Sequence, residues 1–168
     1  MIIRAEKDSD ITVIETLTYS AFKDHHHHEP GAEPTEHLIV NRLRDANTLT
    51  LSLVAEVNNQ VIGHIAFSPV LINGEATNWY GLAPVSVLPE QQNKRIGKAL
   101  INEGLAQLKE HGAEGFVLLG EPEYYGLFGF KAQPELTLTG VPAQYFLALP
   151  IKDSIPTGEV SYHLAFFE

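Results

Sequence analysis

The sequence predicts an α+β fold in which helices flank a mixed, mostly antiparallel central sheet. Short apolar runs typical of strands alternate with longer amphipathic runs typical of helices. Two tight-turn signals, Asn58-Asn59 and Asn73-Gly74, join three consecutive strand-like segments, which favours antiparallel hairpins. Helical patterns on both sides of this block place helices among the strands, so a purely parallel sheet is not expected.

The first part of the chain predicts one strand and two helices. Ile2 and Ile3 open the strand, and Asp8 is a candidate cap for a helix over about 9–22. One face of that helix carries Ile11, Ile14, Leu17 and Ala21. Pro34 suits the first turn of a second helix over about 34–45. The segment between the two helices, with the run His25-His26-His27-His28, predicts an exposed loop.

The rest of the chain predicts five strands and two helices. The three hairpin strands are expected over 51–57, 61–68 and about 77–88, followed by a helix over about 95–111, a buried strand over 115–119 and a short helix over 121–128. Pro84 cannot donate a hydrogen bond to a neighbouring strand, so pairing should break or bulge there. The remainder carries four prolines and is expected to be irregular until a last strand over 160–167.

Length and composition predict a globular protein. A chain of 168 residues favours a single domain spanning 1–168, and 44% hydrophobic with 19% charged residues is ordinary for such a domain. No apolar run approaches the roughly 18 residues needed to cross a bilayer, and the first residues lack the pattern of a secretory leader. The absence of cysteine excludes disulfides, thiolate metal sites and cysteine nucleophiles. These features agree with a cytoplasmic location.

The charge balance restricts the classes of partner. Eleven Lys and Arg against twenty-one Asp and Glu give a net charge of −10, which argues against a nucleic-acid binder and suits a cationic partner. Three of the eleven cations, Lys94, Arg95 and Lys98, lie within five residues. Such a local cluster can bind a small anion on an acidic protein.

The most informative segment runs from a strand through a polar loop into a helix, over residues 85–100. The free N–H groups of a helix N-terminus attract phosphate or carboxylate, and Gly97 allows a ligand to approach the backbone closely. The alternative is a solvated helix start whose cations pair with Glu90 or Glu103. The proline break before the loop favours a ligand, because an open strand edge offers N–H and C=O groups to an extended molecule. A ligand with phosphates at one end and amides along its tail fits both features.

The pattern Pro89-x-x-Gln92-x-x-Arg95-x-Gly97-x-Ala99-Leu100 resembles the acyl-CoA-binding motif of the GNAT superfamily of N-acetyltransferases. The resemblance implies the GNAT fold, with acetyl-CoA as co-substrate. It implies that Val85 and Val87 offer backbone groups to the pantetheine arm, and that the loop amides of Asn93, Lys94, Arg95, Ile96, Gly97 and Lys98 bind the pyrophosphate. Ser86 and Gln92 are expected among the cofactor-binding residues as well. One departure is that Arg95 stands where the motif has its first glycine.

A second match is Tyr125-Gly126-Leu127-Phe128-Gly129-Phe130, which resembles the Tyr-x-x-x-Gly-Phe pattern of the same enzymes. The resemblance implies that Tyr125 protonates the departing CoA thiolate, and that Tyr125 and Phe128 contact the cofactor. The alternative is a pair of aromatic core residues, Tyr124 and Tyr125, on a short helix. The strings over 81–87 and 119–125 further resemble the bacterial YhbS-like group of this family.

The sequence therefore predicts transfer of an acetyl group from acetyl-CoA to an amine acceptor, a small molecule or a peptide, by direct attack on the thioester. The alternative is a non-catalytic acyl-CoA sensor or regulatory protein on the same fold. The general base stays open among His64, Glu121 and Glu123. No metal is expected, since the histidine run lacks a second ligand cluster. The net charge argues against nucleic acid, and the absence of a long apolar run argues against a membrane. The sequence leaves the assembly open, and a homodimer is one possible form.

Overall fold

A nine-stranded sheet forms the centre of the computed structural model, which describes residues 1–23 and 33–167. The strands run in the order β1-β2-β3-β4-β5-β8-β6, and β9 pairs with both β3 and β7. All pairings are antiparallel except β4 with β5 and β7 with β9. The expected mixed, mostly antiparallel sheet is thus confirmed. The strands are β1 (Ile2–Ala5), β2 (Leu51–Val57), β3 (Gln60–Ile72), β4 (Glu75–Val87), β5 (Gly115–Leu119), β6 (Lys131–Ala132), β7 (Leu136–Thr137), β8 (Phe146–Pro150) and β9 (Gly158–Ser161).

Helices cover both faces of the sheet. They are α1 (Ile11–Phe22), α2 (Glu36–Asp45), α3 (Ile96–Glu110) and the short α4 (Pro122–Tyr125). Neighbouring residues of a strand point to opposite faces. Accordingly, Leu53 packs in the cluster that contains α3, whereas Val54 packs with α1 and α2. None of the helices in the described ranges is both long and apolar enough to cross a membrane.

The hairpins and the central elements follow the sequence prediction. Asn58, Asn59, Asn73 and Gly74 all have positive φ, as the tight turns require. β2 and β5 have the predicted limits, and α3 ends before Gly112, whose φ is +92°. The three hairpin strands are therefore fixed by local turn chemistry.

The start of α1 differs from the prediction. Asp8 was expected to cap this helix, but it lies in a short 3₁₀ turn and α1 begins only at Ile11. Asp10 precedes the helix, and its carboxylate accepts hydrogen bonds from Arg4 and from the backbone N–H of Lys7, both at 2.7 Å. Arg4 holds the pKa of Asp10 below its usual value.

The C-terminal part is more ordered than predicted, and its last strand is misplaced in the prediction. β6, β7 and β8 occupy the stretch expected to be irregular, and β8 pairs along the whole of β5. The last strand covers Gly158–Ser161, and Leu164–Phe166 is a 3₁₀ turn. The prolines suggested irregular structure, since proline disfavours strand interiors. In the structure, however, the prolines lie beside the paired segments, apart from Pro150 at the end of β8.

β4 and β5 separate halfway along β4, and the bulge beyond that point, at Ala83 and Pro84, confirms the irregular pairing expected at Pro84. Their parallel pairing covers Trp79 to Gly81 only. The register between β4 and β3 then shifts across Ala83 and Pro84, whose peptide bond is cis. In the described structure, β4 from Leu82 onward pairs with β3 alone, so its other edge is open.

A buried polar network stands between β2, β3 and α2. Arg44 donates two hydrogen bonds of 2.9 Å to the Glu6 carboxylate, and Ser52 donates a further one. Nε2 of His64 lies 2.8 Å from the Ser52 oxygen. Because the single hydroxyl proton of Ser52 already goes to Glu6, Nε2 is the donor in this hydrogen bond. Burial lowers the pKa of His64 to about 4, so this imidazole is neutral at physiological pH.

Replacing Gly104 by Ala is expected to destabilise the fold. A Cβ on Gly104 would lie 2.7 Å from Cζ of Phe67, a ring with no exposed surface. Overpacking should lower the free energy of unfolding by about 1–2 kcal/mol despite the higher helix propensity of Ala. Urea denaturation measures this change. Gly126→Ala is the control, because a Cβ there meets nothing within 4 Å; equal stability loss in both variants would contradict the explanation.

The stability of the protein is expected to fall as the pH drops from about 7 to about 5. The folded state resists protonation of His64, whereas the unfolded chain protonates below about pH 6.5. The resulting loss in the free energy of unfolding between pH 7 and pH 5 is about 2 kcal/mol. Denaturation of the native protein and of His64→Gln at both pH values measures it, and the variant should lose less. Identical pH dependence would show that His64 protonates normally.

Candidate functional site

A cavity of about 350 Å³ lies where β4 ends and α3 begins. Its lining consists of Val87, Gln91, Gln92, Asn93, Arg95, Ile96, Gly97, Lys98 and Tyr124. Seven of these residues were predicted from the sequence, and Gln91 and Tyr124 are additional. The Gln92 side chain donates a 3.1 Å hydrogen bond to the Val87 carbonyl, which ties the loop to the end of the strand.

The backbone of this loop explains the motif. Asn93 and Arg95 have φ of +66° and +65°, in the left-handed region that favours glycine. Arg95 is the residue that immediately precedes α3 and stands in place of the motif glycine. A glycine there would adopt the same conformation without strain, whereas a side chain costs about 1–2 kcal/mol. The arginine retains the backbone geometry, and Arg95 lines the cavity.

The cations of the loop are not neutralised by the neighbouring acids. Within the described residues, Glu90 and Glu103 form no salt bridge with Lys94, Arg95 or Lys98. The Lys94 ammonium donates to the Gln91 side chain at 3.3 Å and does not line the cavity. Arg95 and Lys98 do line it, beside the free N–H groups at the start of α3. The result is a cavity suited to an anion.

Gly97 leaves room for a ligand. A Cβ on it would lie 3.6 Å from the Tyr124 hydroxyl and 3.9 Å from Cγ2 of Val87, both ordinary contacts. The packing of the protein itself therefore does not require glycine at this position. A side chain would instead occupy space against the cavity wall.

Three predicted residues direct their side chains away from the cavity. The Ser86 hydroxyl is buried and lies 3.1 Å from that of Thr18 on α1. Ile96 is buried in the core, where its methyl lies against Gly63. Val85 pairs with Ile65 and does not line the cavity. Of the two β4 residues among them, Val85 has its backbone N–H and C=O on the open edge, whereas those of Ser86 face β3.

The two tyrosines of α4 have different surroundings. Tyr124 is 42% exposed and lines the cavity, which the sequence did not indicate. Tyr125 packs its ring against Gly120, where a Cβ would lie 2.7 Å from Cδ2, and against Phe130. Burial, with a smaller contribution from Tyr124, raises the pKa of Tyr125 to about 12. Phe128 packs against both tyrosines and does not line the cavity.

The structure separates the three candidate bases. His64 is fully buried and already engaged by Ser52, so no substrate reaches it. Glu121 lines a second cavity, beside Gly120 at the end of β5. Glu123 is exposed and lines neither cavity.

The histidine run is the segment that the sequence offers as a possible metal ligand set. Residues 25–28 lie outside the described residues. Within residues 1–23 and 33–167, His, Asp and Glu side chains form no group of three or more that could hold a metal ion.

Comparison with known proteins gives a consistent result. The Acetyltransferase (GNAT) family model matches residues 12–130. The uncharacterized N-acetyltransferase YhbS of Escherichia coli K12 is 39% identical over 132 residues, which are 78% of this chain and 74% of YhbS.

Two solved structures share the whole fold. A GNAT family acetyltransferase from Brucella melitensis, in complex with acetyl-CoA, has a TM-score of 0.86 at 48% identity and covers 98% of this chain and 97% of its own. YhbS from Escherichia coli, in complex with CoA, has a TM-score of 0.90 at 33% identity, and the match covers 99% of this chain and 92% of the YhbS chain. With the loop geometry and both sequence motifs in place, this chain belongs to the GNAT acetyltransferase family.

Proposed function

We propose that this protein transfers the acetyl group of acetyl-CoA to an amine acceptor. The observation that carries the proposal is the junction of an open β4 edge with the cationic loop at the start of α3. This junction fits a molecule with a pyrophosphate at one end and an amide-bearing arm. Support also comes from the similar proteins of Brucella melitensis and Escherichia coli, which bind acetyl-CoA and CoA.

Donor binding uses the loop and the strand edge for different parts of the molecule. In this proposal the amides over 93–98 bind the pyrophosphate, assisted by Arg95 and Lys98. The outward-facing backbone groups of Val85 and Val87 pair with the amides of pantetheine, as an added strand would, whereas those of Ser86 face β3. This arrangement directs the thioester toward Tyr125.

The reaction forms one bond and breaks one. The neutral amine nitrogen attacks the thioester carbonyl, and the oxygen charge that develops is stabilised by backbone N–H groups of β4. The carbon–sulfur bond then breaks, and Tyr125 donates its proton to the sulfur. With a pKa of about 12, this phenol is protonated at every working pH. The ammonium form of the acceptor loses one proton to water before the attack. Once the carbon–nitrogen bond has formed, the nitrogen loses a second proton, whose transfer through water restores the Tyr125 phenol.

We also propose that the reaction takes place in the cytoplasm. The highly charged donor does not cross membranes, so the enzyme must share the compartment in which acetyl-CoA is made. A non-catalytic acyl-CoA sensor on the same fold would bind the donor equally well and release no CoA.

Calorimetry with acetyl-CoA, CoA and 3′,5′-ADP tests donor binding. We expect the two pantetheine-bearing ligands to bind more tightly than 3′,5′-ADP, because only they reach the β4 edge. Equal affinity for all three would identify a nucleotide-phosphate site and overturn the role of β4.

Gly97→Ala is expected to lower the affinity for acetyl-CoA by at least about tenfold, since the new methyl would occupy the space of the phosphates. The free energy of unfolding should stay unchanged or rise by up to about 1 kcal/mol, because Ala favours the helix. Calorimetry and urea denaturation measure the two quantities.

Gly104→Ala is the matched control for Gly97→Ala on the same helix. It should reverse the pattern, with lower stability and unchanged donor affinity, since Phe67 lies in its way. If Gly97→Ala binds acetyl-CoA normally, the ligand does not approach the backbone of α3.

Tyr125→Phe is expected to lower kcat by about 10²–10⁴-fold, the usual contribution of a positioned general acid. The affinity for acetyl-CoA should change little, because the ring and its packing remain. Free-thiol release with an accepted amine, measured across pH, gives kcat, and calorimetry gives affinity. An unchanged rate at all pH values would remove Tyr125 from the mechanism.

A further inference from the structure

A second cavity, of about 410 Å³, opens at the carboxyl end of β5. Its lining consists of Leu119, Gly120, Glu121, Val141, Pro142 and Tyr145. A volume of this size is typical of small-molecule sites. The backbone N–H of Gly120 donates to the Tyr145 carbonyl at 3.0 Å, which holds the two sides of the cavity together.

The cavity lies on the sheet face opposite α3. Leu118 packs in the cluster that contains α3, so the next residue, Leu119, points the other way. The Leu119 side chain is 46% exposed. Val141 belongs with Val117 to the hydrophobic cluster of that opposite face. A molecule in this cavity therefore approaches the β4–β5 cleft from the side away from α3.

The cavity is adjacent to the proposed reaction centre. Val117 is the last β5 residue paired with β4, and Leu119 lies two residues further, where the strands have separated. Gly120 lines the cavity and also packs against the Tyr125 ring. A single backbone residue thus stands between the cavity and the proposed proton donor.

The chemistry of the lining selects one class of ligand. Leu119, Val141 and Pro142 are apolar and Tyr145 is aromatic, while Glu121 supplies the single charge. Glu121 is exposed and, among the described residues, its carboxylate has no hydrogen-bond or salt-bridge partner. A carboxylate at the edge of an apolar wall attracts an ammonium group, and the net charge of −10 acts in the same direction.

We propose that this cavity is the acceptor subsite and that it takes primary amines bearing an aromatic or aliphatic group. The apolar group lies against Leu119, Val141 and Tyr145, and Glu121 holds the nitrogen near the thioester. The assignment rests on the proposed acetyl transfer for its catalytic meaning, although the subsite itself can be tested by binding alone.

The binding experiment compares 2-phenylethylamine with 2-phenylethanol, which has the same shape and no charge. Saturation-transfer NMR on the CoA-loaded protein gives both affinities. We expect the amine to bind more tightly than the alcohol, and Glu121→Gln to weaken the amine about tenfold while leaving the alcohol unchanged. Glu123→Gln removes the same charge two residues away and should change neither affinity.

The turnover experiment measures CoA release with 2-phenylethylamine, butylamine, spermidine and glucosamine. We expect the first two to have the highest kcat/KM. Glu121→Gln should raise the KM for these amines about tenfold and leave the KM for acetyl-CoA unchanged. Glu123→Gln should behave as the native protein.

The possible outcomes distinguish failure of the subsite assignment from failure of the proposed acetyl transfer. No binding of the amine, equal binding of amine and alcohol, or equal effects of the two glutamate variants would overturn the subsite. Preference for spermidine or glucosamine would do the same while leaving acetyl transfer intact. Glu121-dependent amine binding without release of CoA in any assay would instead retain the subsite and refute the transferase.

Discussion

The separation of β4 from β5 is the constraint on which the site depends. A sheet normally satisfies the N–H and C=O groups of each inner strand with two neighbours. Here the parallel pairing stops at Gly81, and beyond the register shift at Ala83 and Pro84 β4 pairs, within residues 1–23 and 33–167, with β3 alone. The open edge leads directly to the loop before α3. Strand amides and helix-start amides therefore form one continuous surface for a ligand.

The same separation gives the protein two chemically distinct faces around one cleft. On the α3 side lie the cations Arg95 and Lys98, whereas the opposite side presents Glu121 over apolar residues. The hydroxyl pair of Thr18 and Ser86 anchors α1 to β4 at the level of the open edge. Opposite charges on the two sides suit a reaction between an anionic donor and a cationic acceptor.

Sequence reasoning was successful where the signal is local. The asparagine turns, the break at Pro84 and the loop before α3 each depend on a few consecutive residues, and the structure has all three. It failed where contacts join distant segments. β8 is defined by pairing with β5, and Tyr124 lines the cavity because its hydroxyl lies near Gly97, which is far from it in the sequence. The Glu6 network likewise joins residues far apart in sequence and has no periodic pattern to reveal it.

The left-handed conformation of Arg95 costs free energy when the chain folds and not when a ligand binds. The strain of holding a non-glycine residue at φ +65° is incurred as the chain folds, whether or not a ligand is present. This part of the loop backbone is consequently ordered before any ligand arrives, so in the proposed phosphate site its ordering adds no entropic penalty to association. In that proposal, Arg95 moves part of the free-energy cost of ordering from the binding step to the folding equilibrium.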